Sequence, residues 1–251
     1  MLSEARQSKI VNLVNENRSM TIQMLMKELD TSESTIRRDL NELDAQGRIE
    51  KVYGGAIAKD ITFSRRDESV NFRKEQNKDS KIAIAKYAAS LINDDDFVYL
   101  DAGTTTELMI PFIMAKNATF VTNGFSHARK LSEAGFLTYI LGGEIKFPTE
   151  AVVGEEAILT LFKYHFTKGF WGSNGVTPSG GFSTPDVKEA LVKQMSMNRT
   201  RERYVLCDAT KFSQISCVTF ADFSDATVIT SSLGDDSQGY RSYNNVIEVK
   251  D

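Results

Sequence analysis

The chain has 251 residues, of which 41% are hydrophobic and 25% are charged, and its formal net charge is −4. This composition is typical of a soluble globular protein of one or two domains. The apolar runs are far too short to span a bilayer. The first residues carry charges without an apolar segment after them, so no secretory signal is expected. We expect a cytoplasmic protein that does not associate with membranes.

The cysteines and histidines limit the chemistry that the chain can perform. Cys207 and Cys217 both lie in strand-like apolar surroundings, and we expect both to be small buried side chains in a reducing compartment. His127 and His165 are the only histidines, which argues against a His-based triad or a multi-histidine metal site. Glycine motifs for nucleotides or dinucleotides are missing. The sequence therefore predicts no metal and no cofactor.

Three helical patterns open the chain. The first covers residues 3–15, the second covers residues 21–29, and the third starts with the turn-like residues 31–33 and runs to Gly47. Ile36, Leu40 and Leu43 form the apolar face of the third pattern. The second and third patterns are separated by a short polar connection, which predicts a helix-turn-helix packed on the first helix.

The polar face of the third helix has the properties of a DNA recognition helix. At about 100° per residue, the face opposite Ile36 carries Ser34, Arg38, Asn41 and Ala45, flanked by Arg37 and Glu42. A narrow polar face with guanidinium groups at its N-terminal end fits the major groove. A solvated amphipathic helix has a similar pattern, and the tight spacing to the preceding helix favours recognition. The Ser32 hydroxyl is expected to cap the helix by accepting from backbone N–H groups and to face a DNA phosphate.

A short ribbon is predicted after the third helix. Gly47 is a plausible end of that helix, and residues 48–56 read as two strands joined by a tight turn at Gly54-Gly55. Such a wing would offer Lys51 and Tyr53 to the DNA backbone or minor groove. A plain hairpin is the alternative. Residues 1–59 hold nine basic and nine acidic residues, so a positive surface must come from placement, with these four side chains on one side: Arg37, Arg38, Arg48 and Lys51.

A charged connector separates two domains. Residues 60–79 contain ten charged residues out of twenty, which is typical of an interdomain segment that is partly helical. We predict a winged helix-turn-helix DNA-binding domain at 1–58, a linker at 59–79, and a sensor and oligomerisation domain at 80–251.

The second domain alternates strands and helices. Strand patterns at 97–101, 119–122 and 137–141 alternate with helical patterns at 80–92, 107–115 and 125–134, with residues 102–106 as a loop. Further strands are predicted at 169–172, 204–207 and 227–230, and a further helix at 186–198. This order predicts an α/β fold with a largely parallel sheet and helices on both faces.

Ligands bind beyond the carboxyl ends of strands in open α/β sheets. Small or polar residues follow each predicted strand: Asp101, Gly103, Thr104, Thr105 and Thr106; Thr122, Asn123 and Gly124; Gly142, Gly143 and Glu144; Asn174 and Gly175; Asp208 and Lys211. Glycine and hydroxyl groups suit a phosphate, and amide and carboxylate groups suit sugar hydroxyls. The same residues also serve as turns and caps. Together they predict a pocket for a polyol phosphate.

An enzymatic interpretation remains open from these residues. Carboxylates and lysines at the predicted edge could move a proton beside a sugar carbonyl, as an isomerase does: Asp101, Glu144, Asp208, Lys188 and Lys211. Against an isomerase stands the attached DNA-binding module, which a metabolic enzyme does not need.

The motifs also resemble a known family. TSESTIRRDLNELDAQG followed by YGGA resembles the N-terminal domain of DeoR-family bacterial transcriptional regulators. DAGTTT, VTN, LGGE, AVVGEEA, GSNGV, GFSTPDVKEA and DATKF resemble its C-terminal sensor, in order, up to about residue 231. Within the family, DAGTTTELMIPFI, TNGFSHA and GFSTPD look most like fructose operon repressors of Gram-positive bacteria. Lactose phosphotransferase repressors are the next nearest group.

The resemblance implies a repressor without isomerase activity, whose sensor has a fold related to ribose-5-phosphate isomerase. It implies binding to double-stranded operator DNA, assembly into homodimers or homotetramers, and a phosphorylated sugar effector such as fructose 1-phosphate. An activator, or a regulator of another sugar pathway such as lactose or galactose, is the alternative. The pattern assigns DNA contact to Ser32, Ser34, Thr35, Arg37 and Arg38, which join Asn41, Lys51, Tyr53 and Gly54. It assigns the effector phosphate to residues 103–106 and the sugar to Asp101, Asn123, Gly143, Glu144 and Lys211, beside Thr122 and Gly142.

Two positions depart from the family pattern. Thr167-Lys168-Gly169-Phe170 stands where members usually have Asp-Lys-Ala-Phe, and Thr230-Ser231 stands where Thr-Asp is common. We expect these two losses of a carboxylate to leave the fold intact and to bear on the choice of ligand.

Overall fold

The computed structural model describes residues 3–17, 19–46, 48–58, 62–64, 70–233 and 235–250. Gly47, predicted to end the third helix, and residues 59–61 and 65–69 of the predicted linker lie outside these ranges. The N-terminal elements are α1 (Ser3–Asn17), β1 (Ser19–Thr21), α2 (Ile22–Leu29), α3 (Glu33–Ala45), β2 (Ile49–Val52) and β3 (Gly55–Ala58). Within the described ranges, no helix has the length and apolarity that crossing a bilayer requires.

The N-terminal elements form a winged helix, as predicted. Ile10, Leu25, Ile36 and Leu40 are fully buried between the three helices. The strands form an antiparallel sheet in the order β1-β3-β2, of which β1 was not predicted. Its three residues are too short to show a strand period.

A buried ion pair fixes α1 against α3. Arg6 Nε donates to Asp39 Oδ2 at 2.5 Å, and Arg6 Nη2 donates to Asp39 Oδ1 at 3.1 Å. The Asp39 side chain is 2% exposed. Because a bidentate pair has one preferred geometry, this contact fixes the orientation of α3 relative to α1.

The remaining elements build the second domain. They begin with β4 (Thr62–Ser64), α4 (Val70–Glu75), α5 (Lys78–Ser90), β5 (Phe97–Leu100), α6 (Thr104–Met109), β6 (Thr119–Thr122), α7 (Phe125–Glu133) and β7 (Leu137–Ile140). They continue with β8 (Glu144–Lys146), β9 (Ala151–Val153), α8 (Glu155–Leu161), β10 (Phe166–Gly172), β11 (Gly175–Thr177), β12 (Gly181–Thr184), α9 (Val187–Asn198) and β13 (Thr200–Leu206). They end with β14 (Gln214–Ser216), β15 (Val218–Ala221), β16 (Thr227–Thr230) and β17 (Val246–Glu248).

A seven-stranded parallel sheet organises this domain. Its order is β17-β16-β13-β10-β5-β6-β7, and every pairing in it is parallel. Successive residues point to opposite faces: Tyr99 and Trp171 pack into one apolar cluster, whereas Leu100 and Phe170 pack into the other. Burial on both faces explains the continuous apolar strands and confirms the predicted α/β class.

Two local expectations were wrong, and one departure from the family pattern lies away from the predicted pocket. Residues 104–106 form the first turn of α6 and are not a loop, because Thr106 supplies a cap that propensity alone does not reveal. Cys217 is exposed between β14 and β15, although Cys207 is buried as expected. Thr167 lies near the N-terminal end of β10, where its hydroxyl donates to Asp96 Oδ1 at 2.7 Å. This end is opposite to the carboxyl edge of the sheet, so Thr167 lies away from the predicted pocket.

The described residues of the two domains contact each other beside β14. β4 pairs in parallel with β14, and Ile215 of β14 packs against the apolar core of the winged helix. Ser19 Oγ also lies 2.8 Å from Ser179 Oγ, in the turn between β11 and β12. The segment that follows the ligand-edge residues 208–211 therefore contacts the winged helix directly.

Candidate functional sites

The exposed side of α3 carries the residues predicted to contact DNA. Ser34, Arg37, Arg38 and Asn41 are exposed, and Thr35 is half-buried. The two arginines pair with glutamates of their own helix: Arg38 Nε lies 3.3 Å from Glu42 Oε1, and the Arg38 side chain is 81% exposed. Exposed pairs of this kind contribute only about 0.3–0.5 kcal/mol, so a DNA phosphate or base can replace the glutamate at little cost.

The start of α3 differs from the expected cap. Ser32 occupies the N-cap position, but its side chain accepts no hydrogen bond from a backbone N–H group. Its hydroxyl lies 3.0 Å from Thr35 Oγ1 and 3.2 Å from Ser34 Oγ. The prediction of the position was right and that of the bond was wrong, because neighbouring hydroxyls compete for Ser32. By contrast, Thr21 does cap α2, accepting from Met24 N at 3.1 Å.

The wing is attached to the helix-turn-helix on both sides. The carbonyl of Gly54, at its tip, accepts from Ile22 N at 2.8 Å. Lys51 Nζ donates to Asn41 Oδ1 at 2.6 Å, which joins β2 to α3. Tyr53 is fully exposed at the tip, and Gly54 takes a φ of +92° that favours glycine. The predicted wing residues thus form one continuous surface with α3.

The topology of the parallel sheet identifies a second site. From β5 the chain proceeds through β6 to β7 on one side, and from β10 it proceeds through β13 and β16 to β17 on the other. The crevice between β5 and β10 is a switch point, where ligands bind in open α/β folds. Asp101 follows β5 and Gly172 ends β10, and Gly172 N donates to Asp101 Oδ2 at 3.1 Å.

A buried lysine that sequence reasoning missed neutralises Asp101. Lys193 of α9 donates through Nζ to Asp101 Oδ2 and, at 3.1 Å, to the carbonyl of Gly172. The side chains are 7% and 1% exposed. The Asp101 carboxylate is therefore paired with Lys193, and this pair fixes the loop that follows β5. The lysine predicted to act here, Lys188, instead forms an exposed pair with Glu144.

Residues of the loop after β5 hold one another in place. Thr106 Oγ1 accepts from Gly103 N at 3.0 Å and donates to the carbonyl of Asp101 at 2.6 Å. Asn123 Oδ1 accepts from Ala102 N at 2.8 Å, and Thr122 Oγ1 accepts from Gly124 N at 3.0 Å. Thr106, Asn123 and Thr122 therefore support the loop, and its opening is lined by the other predicted phosphate residues, Gly103 and Thr104.

His127 lies beneath this loop as a neutral side chain. Its Nε2 lies 3.1 Å from both Thr106 Oγ1 and the carbonyl oxygen of Gly103. Burial lowers the pKa of His127 to about 4. The imidazole is uncharged at neutral pH, and its role is to position the Gly103–Thr106 turn.

Glu107 brings two lysines to the edge of the same site. Burial alone would raise its pKa, but the hydrogen bond from Ser126 and the ion pairs with Lys130 and Lys74 lower the pKa of Glu107 to about 2. The distances are 2.5 Å from Ser126 Oγ, 2.9 Å from Lys130 Nζ and 3.0 Å from Lys74 Nζ. Lys74 belongs to α4, in the stretch predicted as linker.

The outer predicted residues lie farther from the switch point. Gly142, Gly143 and Glu144 follow β7, and Lys211 follows β13. Neighbouring strands lie about 4.8 Å apart, so β7 and β13 are separated by roughly 19 Å across four spacings. Gly142, Gly143 and Glu144 are exposed and Lys211 is half-buried. One small ligand cannot reach both ends of this row unless the loops lean inward.

Ser231, the second departure from the family pattern, does lie at the ligand edge. Its Oγ accepts from Ala209 N at 3.3 Å, in the loop that also contains Asp208. Asp208 Oδ1 accepts from Thr210 N and from Asn77 Nδ2, both at 3.1 Å. Ser231 therefore contacts the loop that carries Asp208.

Comparison with known proteins identifies the family. A family model described as "DeoR C terminal sensor domain" matches residues 76–232, and one described as "DeoR-like helix-turn-helix domain" matches residues 6–62. The chain belongs to the DeoR family of transcriptional regulators. The family membership expected from the motifs is thereby confirmed.

Curated relatives of this DeoR-family chain match it over nearly its whole length. It is 40% identical to "Uncharacterized HTH-type transcriptional regulator FruR" of Bacillus subtilis, over 92% of this chain and 91% of that protein. It is 33% identical to the "Lactose phosphotransferase system repressor" of Staphylococcus aureus over all of both chains. The protein of that name from Streptococcus mutans is 30% identical over 95% of both.

Solved structures show the expected likeness to ribose-5-phosphate isomerase. Ribose 5-phosphate isomerase A of Methanocaldococcus jannaschii aligns with a TM-score of 0.41 and 16% identity, over 55% of each chain. The enzyme from Neisseria gonorrhoeae aligns with a TM-score of 0.40 and 11% identity, over 53% of this chain and 52% of that chain.

Residues that the sequence did not single out complete both surfaces of the DeoR-family chain. Arg6 and Asp39 orient α3, and Lys193, Glu107 and Arg73 surround the switch-point loop. Arg73 lay in the charged connector, where it had no distinguishing signal. Lys193 occupied a helix whose apolar positions were the only visible pattern.

Proposed function

We propose that this chain is a repressor of sugar-utilisation genes that binds operator DNA through α3 and the wing and is released by a phosphorylated sugar. The observation that carries the proposal is the exposed, arginine-bearing face of α3 on a winged helix that touches the second domain. The names of the relatives supply the sugar context, with one called a lactose phosphotransferase system repressor and another FruR.

Operator recognition assigns different tasks to the exposed residues. Arg38 and Asn41 lie on the outward face of α3 and would contact base edges, because arginine pairs with guanine and asparagine with adenine. Ser32, Ser34, Thr35 and Arg37 lie at the N-terminal end and would contact phosphates, with Lys51, Tyr53 and Gly54 extending the contact along the backbone. Two copies of the chain would place two α3 helices on half-sites one helical turn, or a multiple, apart.

The effector would bind at the switch point with its phosphate near Gly103 and Thr104. These residues line a small cavity, and Thr105 lies in the same turn. A sugar hydroxyl group would contact residues from the neighbouring strand ends, such as Asn123 and Asp101. Fructose 1-phosphate is our candidate, since the motifs of this loop resemble fructose operon repressors.

Release from DNA would follow from a changed arrangement of the domains. Ligand binding shifts a conformational equilibrium only when it favours one state over the other. The segment after Lys211 runs into β14, whose Ile215 contacts the winged-helix core. A ligand that moves this loop would therefore change how the winged helix packs on the sensor domain.

Operator binding with and without sugar phosphate tests the proposal. Fluorescence anisotropy would measure the affinity of purified protein for duplex DNA upstream of its own gene, with fructose 1-phosphate, galactose 6-phosphate or no ligand. We expect tight binding without ligand and weakening by the matching phosphate. Thr104→Val should keep operator binding and lose the response, whereas Thr160→Val, on the surface of α8, should behave as wild type.

An isomerase assay on the purified protein tests the enzymatic alternative. A coupled assay for aldose and ketose phosphate isomerisation should detect no turnover. Turnover that disappears in Lys211→Ala or Asp101→Asn would overturn the proposal in favour of an isomerase. A protein that ignores DNA from its own genomic neighbourhood would overturn it as well.

A further inference from the structure

A small cavity lies between α4 and the switch-point loop. It is lined by Val70 and Arg73 of α4, Gly103 and Thr104 at the start of α6, and Thr149 and Glu150 after β8. It has room for about one water molecule. A hexose phosphate needs far more space, so the elements around this cavity must separate when an effector enters.

Arg73 has an unused donor at this cavity. Its Nε is buried and has no hydrogen-bond partner among the described residues. A buried donor without a partner is unfavourable, because nothing compensates for its lost contact with water. A guanidinium group presents parallel N–H donors that match the oxygens of a phosphate. An oxyanion in the cavity would satisfy Nε and the positive charge of Arg73 together.

The other charges of the site leave Arg73 available. Glu107 is already neutralised by Lys74 and Lys130. Within the described ranges, no carboxylate forms an ion pair with the guanidinium group of Arg73. His127, on the far side of Gly103, is neutral because burial lowers its pKa to about 4. Among the described residues that line the cavity, Arg73 is therefore the one that offers a positive charge to a phosphate, whereas the Glu150 carboxylate opposes one.

Contacts on three sides aim Arg73 into the cavity. Val70 N donates to the carbonyl of Pro148 at 3.1 Å. Lys74 pairs with Glu107 at 3.0 Å, and the buried Lys81 donates through Nζ to the carbonyl of Arg73 itself. The backbone of α4 is thus anchored to the loop after β8, to α6 and to α5.

From these contacts we infer that Arg73 binds the phosphate group of the effector, and that α4 separates from Pro148 to admit the sugar. The inference rests on the proposed function, and it adds a ligand residue from outside the strand-end loops. It also means that the bound effector would contact the segment between the two domains directly. β4, which precedes α4 in the chain, pairs with β14 beside the winged-helix core.

Arg73→Ala tests the assignment of the phosphate. Isothermal titration calorimetry with fructose 1-phosphate, and with inorganic phosphate alone, should show affinity reduced about 10- to 100-fold, as expected for a lost charge-assisted hydrogen bond. Operator affinity without ligand should stay within about threefold of wild type. Arg73→Lys should fall between the two, because lysine keeps the charge without the planar fork.

A matched control comes from the other end of the sheet. Arg201 is exposed and pairs with Glu202 at 2.9 Å, so Arg201→Ala should bind fructose 1-phosphate as wild type does. If Arg73→Ala does not fold, Arg73→Gln replaces it, with retained operator binding as the proof of folding.

Amide hydrogen exchange tests the separation of α4. The amide of Val70 should exchange faster when fructose 1-phosphate is bound, because its bond to Pro148 is broken. Wild-type effector affinity in Arg73→Ala or Arg73→Gln would overturn the assignment of the phosphate while the proposed function stands. Unchanged exchange at Val70 would overturn the separation. A wild-type protein that binds no sugar phosphate would overturn the proposed function and this inference together.

Discussion

Two ion pairs show how differently the two domains use charge. Arg38 and Glu42 on α3 are 81% and 44% exposed, whereas Lys193 and Asp101 at the switch point are 7% and 1% exposed. An exposed pair is weak and can be exchanged for another partner. A buried pair is costly to break, since removing one member leaves an uncompensated charge. The exposed face of α3 therefore keeps its charges accessible to a partner, whereas the switch-point loop uses most of its charges to hold its own residues in place.

The largest effect is expected at the buried pair. Lys193→Met should lower the free energy of unfolding by about 3–5 kcal/mol, because Asp101 is left charged and buried. Urea denaturation measures this loss. The double variant Lys193→Met with Asp101→Asn should recover part of it, and a strictly additive double variant would show that the two groups are not coupled.

His127 makes stability depend on pH in a defined window. Its pKa is about 4 in the folded protein, compared with 6.5 for an ordinary histidine. The unfolded chain therefore takes up a proton that the folded protein refuses. Neutral His127 therefore stabilises the folded protein fully above pH 6.5, and this stabilisation is lost as the pH falls toward 4. The total loss of free energy of unfolding is about 3 kcal/mol. Glu107, with a pKa of about 2, adds a further loss below pH 4.5.

The variant His127→Gln isolates this effect. Its free energy of unfolding should change less than that of wild type between pH 6.5 and 4.5. His165→Gln, which removes an exposed imidazole, should keep the wild-type pH profile. Equal profiles for all three proteins would show that His127 is not the group that titrates.

An intermediate effect is expected on DNA. Arg38→Ala should weaken specific operator binding by about 1–3 kcal/mol if its side chain reads a base, with little change in stability. Arg129 of α7 forms a similar exposed pair with Glu133, and Arg129→Ala is the matched control. Unchanged affinity of Arg38→Ala in a gel-shift titration would remove Arg38 from the base-reading set.

The smallest expected effect on stability concerns the N-cap residues of α3 and α2. Ser32→Ala should lower the free energy of unfolding by less than about 0.5 kcal/mol, because its hydroxyl caps no backbone group. Thr21→Ala should cost about 1 kcal/mol, because Thr21 does accept from Met24 N. Thermal unfolding of both variants measures the difference, and equal losses would contradict the observed hydrogen bonding.

The winged helix was predictable because its signals are local. The spacing of Ile36, Leu40 and Leu43 determines the buried face, and the exposed face follows from helix geometry alone. The position of Ser32 followed from the same pattern. Its bonding partners did not, because three hydroxyl groups compete within one turn.

The sensor site was predictable only in outline. Position after a strand correctly placed Asp101 and the Gly103–Thr106 turn at the carboxyl edge of the sheet, where the effector is predicted to bind. Position could not show that Asp101 is paired with Lys193, 92 residues later in the chain. It also gave no reason to look for Arg73 in a charged connector. Such contacts depend on how α4 and α9 dock, which no local pattern encodes.

Reciprocal coupling between the two sites tests the central claim most directly. Calorimetric titration of fructose 1-phosphate into the free protein and into its operator complex yields two effector affinities. The account predicts that operator weakens effector binding by the same factor by which effector weakens operator binding, since coupling free energies are reciprocal. Equal effector affinity with and without bound operator would contradict it.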